Sequence, residues 1–352
     1  MSVKNFEGRQ TMGFKVVNVF DLPGSDFGGE LLDPLGATLV KGMWRTEEEI
    51  LAHAHDADAI IGVVSIQPFN RRLLSALSGC RVIAGIGIGY DKTDLETATE
   101  LGIAVTNVPD YCLDEVSGLA ITYMLALGHR LLQIDRAVRE RRIAFTMDKK
   151  ALDKIACPMF RMREQTLGIV GLGKIGTVTA LKARGLGMRV IAYDPYVLRP
   201  VMESRGVKPV DFDTLLRESD FISIHTPLTS ETRNLFGYEQ FKKMKRTAYF
   251  INTARGGCVD QGGLIRALEE ALIAGAGIDV TVDEPIAPEN PLLTLSNVIL
   301  TGHSAWYSVT SEADLYRRPM TQVVQALRGE LPLYTVNPDV KKKWMTRWSK
   351  GA

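Results

Sequence analysis

The sequence predicts a two-domain α/β protein in which each domain is a parallel sheet covered by helices on both faces. First, the chain has 352 residues, more than a single hydrophobic core usually serves. Second, short apolar runs rich in β-branched residues alternate with amphipathic stretches, a pattern typical of buried parallel strands joined by crossover helices. Third, a glycine-rich segment, residues 171–176, directly follows one of these runs. Together they predict a doubly wound sheet plus a second α/β domain.

The first α/β unit occupies the N-terminal part of the chain, up to about residue 108. Four β-branched runs predict its strands, over residues 14–20, 59–64, 81–84 and 103–107. Helical spacing predicts its crossover helices, over residues 47–53, 71–77 and 95–100. A late helix, over residues 311–328, stops at Gly329 and is expected to return to this unit. The first domain is therefore predicted to be flavodoxin-like and discontinuous, with residues 1–108 and 308–352.

The second unit, residues 109–307, is predicted to be a larger doubly wound sheet. It begins with a long helix over residues 114–142, whose Asp114 and Glu115 suit a helix N-terminus and whose last residues are basic. Six apolar runs predict its strands, over residues 166–170, 190–193, 221–225, 248–252, 276–280 and 298–301. Several of them end in Asp, His, Thr or Asn. Ligands of open α/β sheets bind at the carboxyl ends of strands, so these polar ends predict where chemistry lies.

Residues 171–176 form a dinucleotide-binding fingerprint between a predicted strand and a predicted helix. Gly171 allows a tight turn, Gly173 lets the backbone approach a pyrophosphate, and Gly176 lets helix and strand pack closely. The helix start directs N–H groups and its positive dipole end at the phosphates. Asp194 closes the next strand, where a carboxylate accepts hydrogen bonds from the ribose hydroxyls of NAD and repels the 2'-phosphate of NADP. The fingerprint therefore predicts an NAD-binding Rossmann domain.

Composition argues against several other classes of protein. The formal charge of +1, with 24% charged residues, gives no electrostatic reason to bind nucleic acid or an anionic membrane. The longest apolar stretch, residues 119–127, is too short to span a bilayer, and the first dozen residues lack the apolar core of a signal peptide. The four cysteines form no Cys-x-x-Cys pair, so neither a zinc site nor a disulfide scaffold is expected. We expect a cytoplasmic protein that binds no metal, nucleic acid or membrane.

Three segments at predicted strand ends carry side chains that hydride transfer to a carbonyl needs. The reaction requires a proton donor near neutral pH and a cation for the substrate, which histidine and arginine usually provide. Arg255 lies on a glycine-flanked turn, where its planar guanidinium can hold a carboxylate with two hydrogen bonds. Glu284 follows the fifth of these strands, and His303 follows the last. His225 is a second candidate base, and sequence spacing does not choose between the two histidines.

Five ordered motifs resemble those of the D-isomer-specific 2-hydroxyacid dehydrogenase family. They are the glycines of 171–176, His-Thr-Pro-Leu-Thr at 225–229, Asn-Thr-Ala-Arg-Gly-Gly at 252–257, Asp-Val-x-x-x-Glu-Pro at 279–285 and the late His303. The similarity extends from about residue 58 to residue 330. Residues 303–308 further resemble the branch that contains the C-terminal binding proteins, which are transcriptional corepressors with this dehydrogenase fold.

The resemblance implies a role for each matching residue. His303 would be the general acid and base, Glu284 would orient it and stabilise its imidazolium, and Arg255 would bind the substrate carboxylate. His225 would then be a cofactor-side residue, and Asp279 would hold the nicotinamide carboxamide. The implied NAD-binding residues are Gly171, Gly173, Lys174, Ile175, Gly176, Asp194, Thr226, Pro227, Thr253, Ala254, Arg255, Asp279 and His303.

The resemblance also implies that the first domain supplies backbone N–H groups for the substrate carboxylate. The implied substrate-binding residues are Ser65, Gly87, Ile88, Tyr90, Arg255 and Trp306. The alternating glycines of residues 85–89 favour an anion site unaided, because they let backbone N–H groups converge. Trp306 closely follows His303, where its ring would either form a wall for an apolar substrate side chain or pack at a domain hinge.

Two positions depart from the family's pattern. Gly302 stands where proline is common, which predicts a less rigidly held His303. Ile66 stands where the family often has arginine, which removes one cation from the first carboxylate loop. Neither change removes the three implied catalytic residues, so we expect activity to persist with a shifted substrate preference.

The sequence thus predicts an NAD-dependent enzyme that interconverts a 2-oxo acid and the (R)-2-hydroxy acid. The long helix after Asp114 resembles the element that builds homodimers in this family, so a homodimer is expected. Two kinds of alternative stay open: an NAD-responsive binding protein similar to the corepressors, and a glyoxylate, hydroxypyruvate, formate or phosphite dehydrogenase of the same superfamily. The lack of a long Pro/Ser-rich tail favours the enzyme.

Overall fold

The structure is a computed structural model that describes residues 13–140, 149–156 and 158–349. The chain divides into two compact units, one within residues 1–111 and 309–352 and the other within residues 112–308. No helix in the described ranges is both long enough and apolar enough to span a bilayer. These residues also contain no group of three or more His, Cys, Asp or Glu side chains arranged to hold a metal ion.

The N-terminal part of the first unit alternates strands and helices. The strands are β1 (Lys15–Asn18), β2 (Thr38–Lys41), β3 (Ala59–Gly62), β4 (Val82–Gly85) and β5 (Ala104–Thr106). The helices are α1 (Glu47–Ala54), α2 (Arg71–Ala76) and α3 (Leu95–Leu101). The strands form one parallel sheet in the order β2-β1-β3-β4-β5. This is the flavodoxin-like order, so the predicted fold of this unit is confirmed.

The strand β2 has no counterpart among the predicted strands. It lies at the edge of the sheet, and its four residues are exposed or half-exposed. The central strands β3 and β4 are instead buried along their whole length. Because β2 needs no continuous apolar run, it lacks the signal by which buried parallel strands are recognised in a sequence.

The second unit contains a larger parallel sheet. Its strands are β6 (Thr166–Val170), β7 (Arg189–Tyr193), β8 (Lys208–Pro209), β9 (Phe221–Ile224), β10 (Tyr249–Asn252), β11 (Gly275–Ile278) and β12 (Val298–Leu300). The helices are α4 (Leu113–Gly128), α5 (Leu131–Arg139), α6 (Lys149–Ala156), α7 (Lys174–Gly185), α8 (Arg199–Ser204), α9 (Phe212–Glu218), α10 (Tyr238–Lys243) and α11 (Gln261–Glu269). The strand order is β12-β11-β10-β9-β6-β7-β8, the Rossmann order with one added strand. The predicted Rossmann sheet is therefore confirmed, although the two-residue β8 is not among the predicted strands.

Side chains from this sheet point alternately to two apolar cores, one on each face. Leu167 and Ile169 of β6 pack with α4 on one face, whereas Val170 packs with residues of α9, α10 and α11 on the other. Because the sheet is covered on both faces, its functional groups are confined to the strand ends and loops.

The prediction of a single long helix over residues 114–142 is wrong. Helix α4 ends at Gly128, Arg130 adopts φ 49°, and α5 begins at Leu131. The Arg130 N–H donates to the Leu127 carbonyl, which satisfies part of the α4 C-terminus. Positions with a left-handed backbone are usually occupied by Gly or Asn. Because Arg130 is neither, the sequence does not indicate that the helix ends here. Residues 141 and 142 lie outside the described residues.

The C-terminal segment belongs to the first unit. It consists of α12 (Val309–Leu327) and α13 (Lys341–Trp348), and α12 packs against β3 and β4. Trp344 of α13 is fully buried, and its Nε1 donates a hydrogen bond to the Arg81 carbonyl at 2.8 Å.

Candidate active site

The glycine-rich turn joins β6 to α7, and the surrounding atoms explain two of its three glycines. A Cβ on Gly171, whose φ is 91°, would lie 2.8 Å from Thr226 Cγ2, and a Cβ on Gly176 would lie 2.2 Å from the Gly171 carbonyl oxygen. Gly173 is different, since a Cβ there would meet no atom within 4 Å. It is the N-cap of α7, whose first N–H groups have no partner inside the helix. A side chain there would occupy the space that a pyrophosphate needs, so the turn fits a dinucleotide.

Asp194 anchors this turn from the end of β7. Its Oδ2 accepts a hydrogen bond from the Leu172 N–H at 2.7 Å, and its Oδ1 accepts one from the Tyr196 N–H at 2.9 Å. Each carboxylate oxygen can accept a second hydrogen bond. The geometry therefore leaves acceptor capacity for the ribose hydroxyls that the sequence assigns to Asp194.

Thr253 supplies an unpaired polar atom at the end of β10. Its side chain is 8% exposed, and its Oγ1 has no hydrogen-bond partner within the described residues. Thr226, after β9, lies on the neighbouring strand end, where its Oγ1 is 3.7 Å from Cys258 Sγ. A buried hydroxyl without a partner is costly, so Thr253 fits a site completed by a bound polar group.

His303 and Glu284 form a hydrogen-bonded pair in which Nδ1 of His303 lies 2.7 Å from Oε2 of Glu284. Burial, the largest single influence, raises the pKa of Glu284, whereas the hydrogen bond and charge of His303 lower it. The Thr281 N–H and the charge of Arg255 lower the pKa of Glu284 further, so its net shift is downward. The carboxylate is therefore ionised near neutral pH and holds the imidazole by one nitrogen, which leaves Nε2 for another partner.

The turn that carries His303 is fixed by Asp279, which is 2% exposed. The His303 N–H donates to the Asp279 carbonyl at 2.8 Å. The Asp279 carboxylate accepts from the Ser304 N–H at 2.9 Å, the Ala305 N–H at 3.1 Å and the Thr301 hydroxyl. These bonds hold His303 in a left-handed conformation at φ 55°. The turn is thus tied down although Gly302 replaces the proline common in the family.

Arg255 lies on the turn after β10. Asn252 holds this turn, since its Oδ1 accepts from the Ala254 N–H at 3.0 Å and its Nδ2 donates to the Arg255 carbonyl at 2.9 Å. A Cβ on Gly256 would lie 2.0 Å from the Thr281 carbonyl oxygen. Only glycine allows this close approach, which brings the Arg255 turn against the loop that carries Glu284.

His225 has a different environment from His303. Burial lowers the pKa of His225 to about 4, and its Nε2 lies 3.0 Å from the Ser223 hydroxyl. Its imidazole is therefore neutral near pH 7 and has no carboxylate partner among the described residues. Of the two candidate bases, His303 is the one whose imidazole is held by a carboxylate.

The candidate substrate loops of the first unit follow β3 and β4, which are neighbours in its sheet. Gln67 fixes the first loop, because its side chain accepts from the Val63 N–H at 2.7 Å and donates to the Trp44 carbonyl at 2.7 Å. In the second loop, the N–H groups of Gly87 and Ile88 have no acceptor within the described part of the chain, and Gly87 has φ 93°. This loop therefore has N–H groups available for an anion.

The remaining predicted residues occupy the same strand ends. Ser65 and the 37% exposed Tyr90 lie in the two loops of the first unit. In the second unit, Lys174 and Ile175 begin α7, Pro227 follows Thr226, and Trp306 is half-buried with its ring 5.6 Å from that of Tyr307.

Several supporting residues were not predicted from the sequence. They are Gln67, Asn252 and Thr301, together with Tyr123 of α4, whose hydroxyl lies 2.6 Å from Thr301 Oγ1. Asn252 and Thr301 carry a usable signal, because both are polar residues at the ends of apolar strands. Tyr123 carries none, since it occupies an apolar position of a helix.

The fold and this site define an NAD-dependent oxidoreductase with a Rossmann domain. Residues 121–305 match the family model described as D-isomer specific 2-hydroxyacid dehydrogenase, NAD binding domain. The chain belongs to this family, and it is an enzyme that uses NAD to interconvert 2-oxo and 2-hydroxy acids. The further resemblance to the C-terminal binding protein branch stays a prediction.

Individual relatives agree with this assignment. The chain is 37% identical over 305 residues to a glyoxylate reductase of Korarchaeum cryptofilum, covering 85% of this chain and 90% of that protein. The structure is similar to that of D-lactate dehydrogenase from Aquifex aeolicus complexed with NAD and lactic acid, with a TM-score of 0.74, 30% identity, and coverage of 89% and 94% of the two chains. It is also similar to a glyoxylate reductase from Paecilomyes thermophila, with a TM-score of 0.79, 28% identity, and coverage of 92% and 98%.

Proposed function

We propose that His303, Glu284 and Arg255 carry out the reduction of a 2-oxo acid to its (R)-2-hydroxy acid, and the reverse reaction. The observation that carries this proposal is the 2.7 Å contact between His303 Nδ1 and Glu284 Oε2. Since Nδ1 is held by the carboxylate, Nε2 is the nitrogen that exchanges a proton with the substrate. NADH, when bound, would supply the hydride to C2, and His303 would give its Nε2 proton to the keto oxygen, which would leave a neutral imidazole and an alcohol.

Arg255 is the proposed ligand of the substrate carboxylate. Its turn lies against the Glu284 loop, and its charge lowers the pKa of Glu284, so it is near the candidate acid. A guanidinium binds a carboxylate through two parallel hydrogen bonds. As a separate proposal for the first unit, the N–H groups of Gly87 and Ile88, which have no acceptor in the described residues, bind an anion. On this proposal, residues 1–108 and 308–352 form the substrate domain, and residues 109–307 form the NAD domain.

The proposed cofactor contacts follow from the strand ends. The α7 N-terminus would bind the pyrophosphate through the N–H groups of residues 174 and 175. Asp194 would bind the adenosine ribose and favour NAD over NADP. Asp279 has an acceptor position left at Oδ2, as the proposed contact with the nicotinamide carboxamide requires.

The proposed substrate class is a 2-oxo acid with an apolar side chain. Trp306 supports it, because a half-buried indole three residues after His303 offers an apolar wall, and burial of an apolar side chain is favourable by about 25 cal/mol per Å². A second candidate is glyoxylate, which is favoured by the 37% identity to a glyoxylate reductase.

We also propose a cytoplasmic homodimer. Helix α5 exposes Leu131 at 56%, Leu132 at 48% and Val138 at 40%, and exposed apolar side chains of this size are typical of an interface between subunits. Cys80 is buried and free, which suits a reducing compartment.

A screen of NADH oxidation tests the proposed activity. The substrates are glyoxylate, pyruvate, 2-oxobutyrate, 4-methyl-2-oxopentanoate and phenylpyruvate, each measured with NADH and with NADPH. We expect kcat/KM to rise with the size of the apolar side chain and to be higher with NADH. Highest kcat/KM with glyoxylate would select the second candidate. No turnover of any 2-oxo acid, with binding of NADH intact, would favour the corepressor-like alternative.

A further inference from the structure

The second unit contains a cavity at the end of its sheet opposite the candidate active site. Its volume is about 240 Å³. It is lined by residues at the amino ends of strands, Gln165 before β6, Phe221 at the start of β9, Thr247 before β10 and Asn297 before β12. The glycine-rich turn, Arg255 and His303 all follow the carboxyl ends of strands. The cavity is therefore separate from the site described above.

Two residues in the left-handed backbone conformation line this cavity. Within the described residues, four that are not glycine have positive φ: Arg130, Asn234, Ala271 and His303. Arg130, at 49°, and Ala271, at 51°, both line the cavity, and His303 is the candidate acid. Arg130 and Ala271 each directly follow the C-cap of a helix, Arg130 after α4 and Ala271 after α11, a position where the left-handed conformation commonly ends a helix. Both helices therefore end at the cavity wall.

The charges around the cavity favour an anion. Its fourteen lining residues include Arg130 and Arg246 but no aspartate or glutamate. Helix α4 ends two residues before Arg130 and α11 two residues before Ala271, and each C-terminus contributes about half a negative elementary charge. The two guanidinium groups exceed that sum, so the cavity carries a net positive charge of about one unit.

The hydrogen-bonding groups in the cavity are only partly satisfied. The Nε of Arg130 is buried and has no hydrogen-bond partner in the described part of the chain. A guanidinium N–H is the standard donor to a carboxylate. The unpaired Nε–H of Arg130 is therefore available to a ligand.

The rest of the wall is apolar. The Phe221 and Tyr249 rings stack at 5.3 Å with an interplanar angle of 21°, and Met162, Phe160 and Ile273 add further apolar surface. A Cβ on Gly128 would lie 3.2 Å from Phe221 Cζ, so glycine there lets α4 end close to this wall. A positive end and an apolar body together match an amphipathic anion.

We propose that this cavity binds a small monocarboxylate with an apolar or aromatic body, through Arg130 and Arg246. Liquid water occupies about 30 Å³ per molecule, so the cavity holds the volume of about eight waters, enough for a single aromatic ring with a short acid chain. The proposal does not depend on the identity of the substrate, because none of these residues belongs to the candidate active site.

The test uses phenylacetate as the probe, with binding measured by titration calorimetry near neutral pH. The full-length Arg255→Gln protein is the background, since it removes the other candidate carboxylate site, and its binding of NADH is checked first. We expect saturable binding of phenylacetate, and binding of the neutral phenylacetamide that is at least about tenfold weaker. No saturable binding below about 10 mM would overturn the proposal, as would equal affinity for the amide.

Two variants in this background locate the site. Arg246→Gln replaces an exposed side chain, so a folding defect is not expected, and Arg130→Asn keeps a residue that tolerates positive φ. Both should weaken phenylacetate binding by about tenfold or more. The control Arg217→Gln changes an exposed arginine of α9 that pairs with Asp213, and it should bind normally. If Arg246→Gln, with an unchanged Tm, bound phenylacetate as tightly as the control, the proposal would be rejected.

Discussion

The Asp279 carbonyl accepts a hydrogen bond from the His303 N–H at 2.8 Å, while the Asp279 carboxylate lies beneath the two residues that follow. One buried aspartate thus fixes the turn of the candidate acid, because its carbonyl binds His303 and its carboxylate binds the next two residues. The Tyr123 hydroxyl extends this arrangement through Thr301, which donates to the same carboxylate. His303 is consequently held from two sides, by Asp279 through the backbone and by Glu284 through the imidazole.

The first prediction concerns Asp279→Asn. An amide offers one acceptor atom where the carboxylate offers two, so either Ser304 or Ala305 loses its acceptor and the His303 turn loosens. We expect kcat to fall by about tenfold to a hundredfold, because small displacements of a catalytic group are costly. The control is Asp220→Asn, which removes a carboxylate bonded to the Thr166 N–H at the far end of the sheet. Similar losses of kcat in both variants would mean that Asp279 supports only the fold.

The second prediction concerns His303→Ala. Loss of the proton donor should lower kcat by about 10²- to 10⁴-fold, whereas the dissociation constant of NADH, measured by fluorescence, should change by less than about twofold. His129→Ala is the matched control, since His129 is an exposed histidine at the end of α4. Should NADH binding weaken as much as turnover, His303 would be a structural residue.

The sequence predicts most of the fold because buried parallel strands can be recognised as apolar runs. The strand β2 escapes this rule as an exposed edge. The break between α4 and α5 is also not predicted, because Arg130 adopts a left-handed conformation that is unusual for arginine. Both errors lie where local sequence and tertiary context diverge.

The site is predicted in part for a similar reason. Polar residues at strand ends identify the segments of Arg255, Glu284 and His303, but the loops come from three different strands. Spacing along the chain does not show which loops are in contact. The choice between His303 and His225 therefore depends on the resemblance to the dehydrogenase family. The hydrogen bonds of Asp279 are likewise invisible in a sequence, where it is only an acidic residue after a strand.

The third prediction concerns Arg255→Lys. The ammonium keeps the charge that lowers the pKa of Glu284, but it cannot form the two parallel hydrogen bonds of a guanidinium. KM for the best 2-oxo acid should therefore rise by about tenfold or more, while binding of NADH stays near normal. The control Arg217→Lys alters an exposed arginine of α9 and should leave KM unchanged. An unaltered KM in Arg255→Lys would contradict the carboxylate role.

The last prediction concerns the acid stability of the protein and His225. Burial lowers the pKa of His225 from 6.5 to about 4. Between these pH values His225 is therefore protonated in the unfolded chain and neutral in the folded protein. The free energy of unfolding therefore falls as pH drops from 6.5 towards 4, by at most about 3 kcal/mol, and this effect is absent above that window. His225→Gln cannot titrate there, so its Tm, followed by calorimetry, should decline less steeply with acid than that of the unmodified protein. His129→Gln, at an exposed site, should follow the unmodified protein, and parallel Tm curves for all three would show that His225 takes up its proton as readily folded as unfolded.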